Sequence, residues 1–358
     1  MIYYQYKAIL ILQDGTQYKG YHFGAKVSSG GELVFNTAMS GYQESLTDPS
    51  YKGQILVCTF PLIGNYGISE EDIFMEHLYE SEMIHINGII ISDYSHFPHH
   101  WRMSYNLSYW LIKNNIPGIY GLDTRELTKK LRQKGSMLGK IIFYQNIPFY
   151  NPNIENLASK VCIKKKTIYG NGIYRILLID FGVKNNILRS LIKRNCTVIR
   201  VPWDYDYRLI NYDGLLLSNG PGNPKVYQKP IDNLRFVLTK NTPIFGICLG
   251  NQLLGLAAGS ETSKLLYGHR SHNQPVLMEG SVHSYITPQN HGYVIEEKSL
   301  PSVWNVLFRN LNDNSCEGIM HKNKPFFSVQ FHPEGSGGTT DTEFLFDWFI
   351  QLIRQYKK

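Results

Sequence analysis

The stretch Pro243-Ile-Phe-Gly-Ile-Cys248-Leu-Gly-Asn-Gln252-Leu-Leu-Gly-Leu-Ala-Ala-Gly259 constrains this chain more than any other. An apolar run, Ile244 to Ile247, leads into Gly246-x-Cys248-x-Gly250, and a helix-prone run, Leu253 to Ala258, closes at Gly259. The order is strand, tight turn, helix. A nucleophile on such a bend needs small neighbours, so that the backbone can close up and leave the side chain presented. Cys248 then lies at a helix N-terminus, where unpaired N–H groups and the helix dipole favour a thiolate. A buried structural cysteine is the alternative, and the flanking glycines with the following helix argue against it. The N–H of Leu249 points back toward an attacked carbonyl and supplies half of an oxyanion hole.

A thiol attacking an acyl carbon also needs a base. After the apolar run Pro325 to Val329 comes Phe331-His332-Pro333-Glu334. In an extended segment residues i and i+2 share a face, which puts His332 and Glu334 together while Pro333 stiffens the backbone between them. A carboxylate beside an imidazole fixes its tautomer and stabilises the imidazolium. Cys248, His332 and Glu334 form a triad by role.

The 358 residues suit two domains, each with its own core. A hydrophobic share of 43% without an apolar run of about 18 residues points to a soluble globular protein with no membrane span. The start, Met1 to Leu10, shows no signal-peptide pattern. Five widely spaced cysteines, Cys58, Cys162, Cys196, Cys248 and Cys316, argue against a disulfide framework or zinc site and fit a reducing compartment. The net charge of +7 is spread out apart from Lys164-Lys-Lys166, so nucleic acid is not expected as a partner.

In chain order, Ala8 to Leu12, the turn pair Asp14-Gly15 and Tyr18 to Phe23 predict a hairpin. Gly31 to Gly67 reads as strand, Gly-bounded loop, Asp-Pro turn, strand and Gly-rich loop, and His85 to Ile91 as a strand. The imidazoles of His96-Phe-Pro-His99-His100 lack metal-ligand spacing and predict a surface loop. Leu107 to Asn114 and Arg125 to Lys134 predict helices. The pattern dissolves between Gln145 and Gly172, giving a first domain over 1–145, a linker over 146–172 and a second domain over 173–358. There Arg175 to Asp180, Thr197 to Val201, Gly214 to Ser218 and Ile244 to Ile247 alternate with helices, which predicts a doubly wound α/β sheet with the site at its strand C-terminal ends. Ser218-Asn-Gly-Pro-Gly-Asn-Pro224 is one such end loop.

The cysteine turn, together with His-Pro-Glu a domain's length later, resembles the class I glutamine amidotransferases, whose glutaminase domain releases ammonia through a cysteinyl thioester. Gly31 to Gly67, Gly121-Leu-Asp-Thr-Arg-Glu-Leu-Thr128 and Lys134-Gly-Ser-Met resemble the N-terminal domain of the carbamoyl-phosphate synthase small-chain family. The resemblance runs nearly end to end. It implies an N-terminal α/β domain specific to that family, followed by a doubly wound glutaminase domain.

By the same resemblance, glutamine is held by Ser50, Gly220, Gly222, Leu249, Gln252, Asn290, Gly292 and Tyr293, with Gly222 as the favoured second oxyanion donor. Gln252 also has a local argument, one helical turn past Cys248 on the same face. His291 is read as structural. No phosphate-binding G-x-x-x-x-G-K-[ST] appears, so no cofactor is expected in this chain. The resemblance assigns ATP and Mg to a large-chain partner that turns the ammonia into carbamoyl phosphate for arginine and pyrimidine synthesis. A Tyr-, Asn-, Ile- and Lys-rich composition suits a bacterial cytoplasm or a plastid stroma. Two alternatives stay open: the glutaminase of another synthase, such as anthranilate synthase, and a catalytically decayed docking subunit. Three departures stand out: Asn251 where the family commonly has His, Gly268-His-Arg-Ser-His-Asn-Gln274 where it often has Gly-His-His-Gly-Gly-Asn-His, and Gly335-Ser-Gly-Gly338 where Ala-Ser-Pro-Gly is usual.

Overall fold

The computed structural model describes residues 7–69, 79–335 and 337–357. The chain divides into two compact units, Met1–Asn153 and Ile154–Lys358.

The first unit contains β1 (Lys7–Leu12), β2 (Gln17–Gly24), β3 (Ser29–Asn36), α1 (Tyr42–Thr47), β4 (Gln54–Cys58), β5 (Leu62–Ile63), β6 (Gly88–Ile90), β7 (Asp93–Tyr94), α2 (Leu107–Lys113), β8 (Pro117–Tyr120), α3 (Thr124–Lys134) and β9 (Met137–Ile142). The predicted first hairpin forms, with Leu10 opposite Tyr18. Seven strands close a barrel in the order β1-β2-β8-β6-β4-β3-β9, which leaves no open edge among them. Leu10, Leu33, Ile55, Ile89, Ile119 and Ile141 on six of these strands are fully buried. Helix α3 starts where Asp123 Oδ1 accepts the Glu126 N–H at 2.8 Å, and it buries Leu127 and Leu131 one turn apart. The three histidines of 96–100 lie exposed in a loop.

The second unit contains α4 (Ala158–Val161), β10 (Thr167–Tyr169), β11 (Tyr174–Asp180), α5 (Asn185–Lys193), β12 (Cys196–Pro202), β13 (Gly214–Leu217), α6 (Gln228–Val237), β14 (Ile244–Ile247), α7 (Leu249–Ala258), β15 (Thr262–Met278), β16 (Ser284–Ile295), β17 (Trp304–Asn310), β18 (Cys316–His321), β19 (Phe326–Val329) and α8 (Phe344–Tyr356). The stretch 146–172, read as a linker, is split by the unit boundary. Its later part supplies buried Leu157 and Ala158 and the edge strand β10, while Lys164 to Lys166 stay exposed.

The sheet runs β10-β12-β11-β13-β14-β19-β18-β16-β15-β17. Its middle, β12-β11-β13-β14-β19, is parallel. Those strands are apolar on both faces because both are covered. Leu177, Ile179, Leu215 and Leu217 pack with α6 and α7 residues such as Ile231, Leu234, Leu249 and Leu253. Ile176, Leu178 and Leu216 pack on the other face with Ile187 and Leu191 of α5 and Phe346, Phe349 and Ile353 of α8. The antiparallel strands β15 to β18 were not anticipated from sequence. They place a long β15–β16 pair beside the site.

Candidate active site

Cys248 sits where β14 ends and α7 begins, with φ 54° and ψ −103°. A positive φ in a residue with a side chain costs on the order of 1–3 kcal/mol and persists only where its surroundings enforce it. Here they do. The Cys248 N–H is held by the Val329 carbonyl at 2.9 Å and the Gly250 N–H by the Ser218 carbonyl at 3.0 Å. A Cβ on Gly250 would lie 2.2 Å from the Leu217 carbonyl oxygen, so only glycine lets α7 start this close to β13. The thiol is 2% exposed and directs its S–H to the Asn290 carbonyl at 3.7 Å. Burial pushes the Cys58, Cys196 and Cys316 thiols up to about 12 and raises that of Cys162, which keeps these four protonated.

His332 and Glu334 come together as expected, with Nδ1 2.7 Å from Oε1, but not in an extended segment. They lie past the end of β19 in a turn where the Gly335 N–H reaches the His332 carbonyl at 3.3 Å. The turn folds Glu334 back onto the ring. Gly335 adopts φ 69°, a conformation open to Gly and strained for the more usual Ala, so this departure has a backbone cause. Ser336 lies outside the described residues.

Both members of the pair are fully enclosed. Burial is the largest influence on His332 and opposes its charge, as does Lys184, yet the Glu334 carboxylate and the Cys248 thiol outweigh both and raise the imidazole above its ordinary value. Burial also opposes charge on Glu334, and Lys184 with His332 overcome it, holding the carboxyl below its ordinary range. His332 Nε2 makes no hydrogen bond of ordinary geometry among the described residues. That nitrogen is the one left for the thiol, which is among the groups that raise the ring.

Of the residues matched to glutamine binding, Leu249 is the first of α7, where the helix leaves its N–H without an intrahelical partner. Asn290, Gly292 and Tyr293 lie on β16, opposite the stretch where β15 bulges between Lys264 and His269, and the Asn290 carbonyl accepts from the Cys248 thiol. Gln252 is anchored by its amide to the Tyr293 carbonyl at 2.9 Å and to Gln330 Oε1 at 3.1 Å. Gly220 and Gly222 occupy the loop after β13. Ser50 belongs to the first unit, buried, with its N–H on Asp48 Oδ1 at 2.9 Å.

Sequence reasoning missed Lys184. Its ammonium lies 3.0 Å from Glu334 Oε1, the oxygen that also meets His332, and both side chains are buried. Asp180 shapes the loop that delivers it, accepting the Gly182 and Val183 N–H groups at 2.8 and 2.9 Å. The place of Asp180-Phe-Gly-Val-Lys184 at a strand C-terminal end was the available signal. Asn186 also donates to the Glu334 carbonyl. A second missed group is His269, His291 and Glu317, whose donor atoms lie within 4.8 Å of one another. Their ring nitrogens are engaged in hydrogen bonds.

The arrangement offers a thiol, an imidazole oriented by a carboxylate and helix-terminal N–H groups, the components of acyl transfer. A family model of the carbamoyl-phosphate synthase small chain, CPSase domain, matches residues 10–141, and one of glutamine amidotransferase class-I matches residues 177–352. "Carbamoyl-phosphate synthase [ammonia], mitochondrial" of Rattus norvegicus is 46% identical over 358 residues, covering 98% of this chain and 24% of the relative. Multifunctional protein pyr-3 of Neurospora crassa is 46% identical, covering 96% and 21%. Multifunctional protein CAD of Squalus acanthias is 46% identical, covering 98% and 16%. The chain thus spans about a quarter or less of the length of these relatives. A solved glutamine amidotransferase from Thermotoga maritima is similar at 18% identity and TM-score 0.40, over 52% of this chain and 87% of that one. This chain belongs to the carbamoyl-phosphate synthase small-chain family, and its second unit carries that family's class I glutamine amidotransferase domain.

Proposed function

We propose that the chain is the glutaminase component of a carbamoyl-phosphate synthase, hydrolysing glutamine to glutamate and ammonia. The observation that carries this reading is the enforced bend at Cys248 facing a buried His332–Glu334 pair. The rat relative's name specifies ammonia. Likeness alone therefore does not choose between a working glutaminase and a decayed docking subunit. The intact thiol, imidazole and carboxylate favour the working enzyme, and the family-specific first domain favours carbamoyl-phosphate synthase over anthranilate synthase.

Mechanistically, the imidazole, made more basic by Glu334, takes the thiol proton; Glu334 holds that ring in place and Lys184 holds Glu334. The thiolate attacks the carboxamide carbon of glutamine. Charge develops on the carbonyl oxygen, where the N–H of Leu249 and one from the Gly220–Gly222 loop stabilise it; one such donor is worth about 2.7–4 kcal/mol. His332 then gives its proton to the leaving nitrogen, releasing ammonia and a thioester. Water, activated by the same imidazole, hydrolyses the thioester to glutamate. Asn290, Gly292, Tyr293 and Gln252 are assigned to holding the substrate.

The ATP- and Mg-dependent steps are assigned to a large-chain partner that feeds arginine and pyrimidine synthesis. Five unpaired cysteines fit a reducing setting such as bacterial cytosol or plastid stroma. No described helix is long and apolar enough to cross a membrane.

The test is reconstitution with a large chain. Cys248→Ser should abolish glutamine-dependent carbamoyl phosphate formation and leave ammonia-dependent formation intact. Loss of both in a complex that still assembles would overturn the division of labour. A wild-type chain with no glutaminase activity in the complex would favour the docking subunit.

A further inference from the structure

Across the β15–β16 pair lies a buried polar group that the proposed chemistry does not use. His269 on β15 stands directly opposite His291 on β16, with their rings edge to face at 4.9 Å. His269 Nε2 lies 2.8 Å from Asp313 Oδ2, and its Nδ1 lies 3.2 Å from Glu317 Oε1 and 3.0 Å from Gln289 Oε1. Glu317 is fully buried, and its Oε1 also accepts the Asn310 amide at 3.2 Å.

An ionised carboxylate only accepts hydrogen bonds. A ring nitrogen aimed at one must carry a hydrogen, and here both ring nitrogens are so aimed. A neutral imidazole would set its lone pair against a carboxylate oxygen at one end. We propose that His269 is a permanent imidazolium clamped between Asp313 and Glu317, and that it is a positioning residue for the glutamine-facing segment Gln289–Tyr293.

The connection runs through Gln289. Its Oε1 receives His269 Nδ1 and lies 3.1 Å from His291 Nε2, while its amide nitrogen donates to Thr287 Oγ1 at 3.1 Å. His291, kept neutral by burial and by the neighbouring His269 and Arg270 charges, carries one N–H, either on Nδ1 toward the Tyr293 carbonyl at 2.9 Å or on Nε2 toward Gln289 Oε1. Two backbone carbonyls of this segment face the site: that of Asn290 accepts from the Cys248 thiol and that of Tyr293 from Gln252. Pinning Gln289 and His291 therefore sets where those carbonyls stand.

The titratable and charged groups around His269 are Asp313 from the turn after β17, Glu317 on β18, the neutral His291 on β16 and Arg270 on its own strand. Burial is the largest influence on His269 and opposes its charge, yet the two carboxylates outweigh it and raise the ring above its ordinary value. A metal ion held by His269, His291 and Glu317 would need a lone pair from the His269 nitrogen that faces Glu317. The clamp places a hydrogen there.

This inference rests on the glutaminase reading for its kinetic arm and is independent of it for its spectroscopic arm. The full chain, labelled with ¹⁵N-histidine, is followed by two-bond ¹H–¹⁵N correlation from pH 6 to 8.5. One imidazole, identified by its absence in His269→Gln, should keep both nitrogens protonated throughout. A neutral ring at pH 7 overturns the clamp, as does Co(II) binding with a visible spectrum that His269→Gln removes.

In the reconstituted complex, His269→Gln should raise KM for glutamine by ~10-fold or more, the scale of a lost charged hydrogen bond, with kcat little changed, because the segment would hold substrate and transition state alike. Glu317→Gln should do the same, and the double variant should raise KM by less than the product of the two. Independent, multiplying effects overturn the proposal, and so does a fall in kcat at unchanged KM. If wild type has no glutaminase activity, the proposed function fails, while the resonances still decide the clamp.

Discussion

Within the second unit, the parallel strands and the antiparallel pair β15–β16 place groups at the same site by opposite means. Strands β13 and β14 are apolar on both faces, β19 all but Ser328, and they place Cys248 by backbone sterics: a forced φ of 54° and a helix start that admits no Cβ at position 250. The β15–β16 pair buries Gln289, His269, His291 and Arg270, and places its carbonyls through hydrogen bonds and ion pairs. The thiol is fixed by shape, and the surface that faces it by charge. Sterically fixed groups fail when volume is added, and polar-fixed groups fail when a partner is removed.

The widest gap between the two should appear at the proton carrier, which depends on both. His332 hangs from the end of β19 yet is oriented by Glu334 and Lys184. His332→Asn should lower glutamine-dependent turnover in the reconstituted complex on the order of 10²-fold or more, the usual scale for a lost general base. Near wild-type turnover would remove His332 from the chemistry. On the steric side, Gly250→Ala drives a Cβ against the rigid Leu217 carbonyl. Overpacking of this kind typically costs about 1–3 kcal/mol, and backbone cannot step aside as a flexible side chain can. Urea unfolding should show a loss in that range. An unchanged midpoint would mean that α7 shifts freely and that the bend is not enforced.

The polar side of the comparison is read by pH. Glu334 is lowered from its ordinary 4.5, so its contribution to stability is present above about pH 4.5 and is lost as pH falls toward its depressed value. His332 is raised from its ordinary 6.5, so its contribution is complete below about pH 6.5 and is lost as pH rises toward its elevated value. The stability gap between wild type and Glu334→Gln should therefore be widest between pH 4.5 and 6.5 and narrow on either side. A gap that stays flat from pH 4 to 9 would show that the ion pair adds nothing to folding.

The same contrast explains what the sequence made legible. Ile176 to Ile179, Leu215 to Leu217 and Ile244 to Ile247 announce parallel strands because nothing but burial on both faces calls for such runs. The bend at Cys248 is legible because its glycines have a steric reason. Strand β15 is not, since Lys264, His269, Arg270 and His272 break any apolar alternation, and the partners that let His269 be buried lie 20 to 48 residues away. The bulge between Lys264 and His269 blurs the period further. Lys184 hides for a related reason. A lone lysine after a strand reads as solvated until Glu334, 150 residues on, is seen to meet it. The pairing of His332 with Glu334 was legible, but through a turn, not the extended backbone that suggested it.

Asn251 carries the smallest expected effect and tests whether the helix face next to the thiol belongs to the steric or the catalytic half. It is fully buried, donates to Gln330 Oε1 at 3.1 Å and accepts the Ser328 hydroxyl at 2.8 Å, so its side chain is committed to β19 and the residue after it. A carboxamide takes up no proton near neutrality, and asparagine here cannot serve as a base. A histidine in its place offers one N–H for Gln330 and one lone pair for Ser328, which preserves both contacts at the cost of a larger ring. Asn251→His should therefore lower stability slightly and change glutamine-dependent turnover only a few-fold, far less than His332→Asn. If instead Asn251→His restores turnover to a His332→Asn chain, position 251 can reach the thiol, and the proton carrier is set by helix geometry and not by the turn that holds His332.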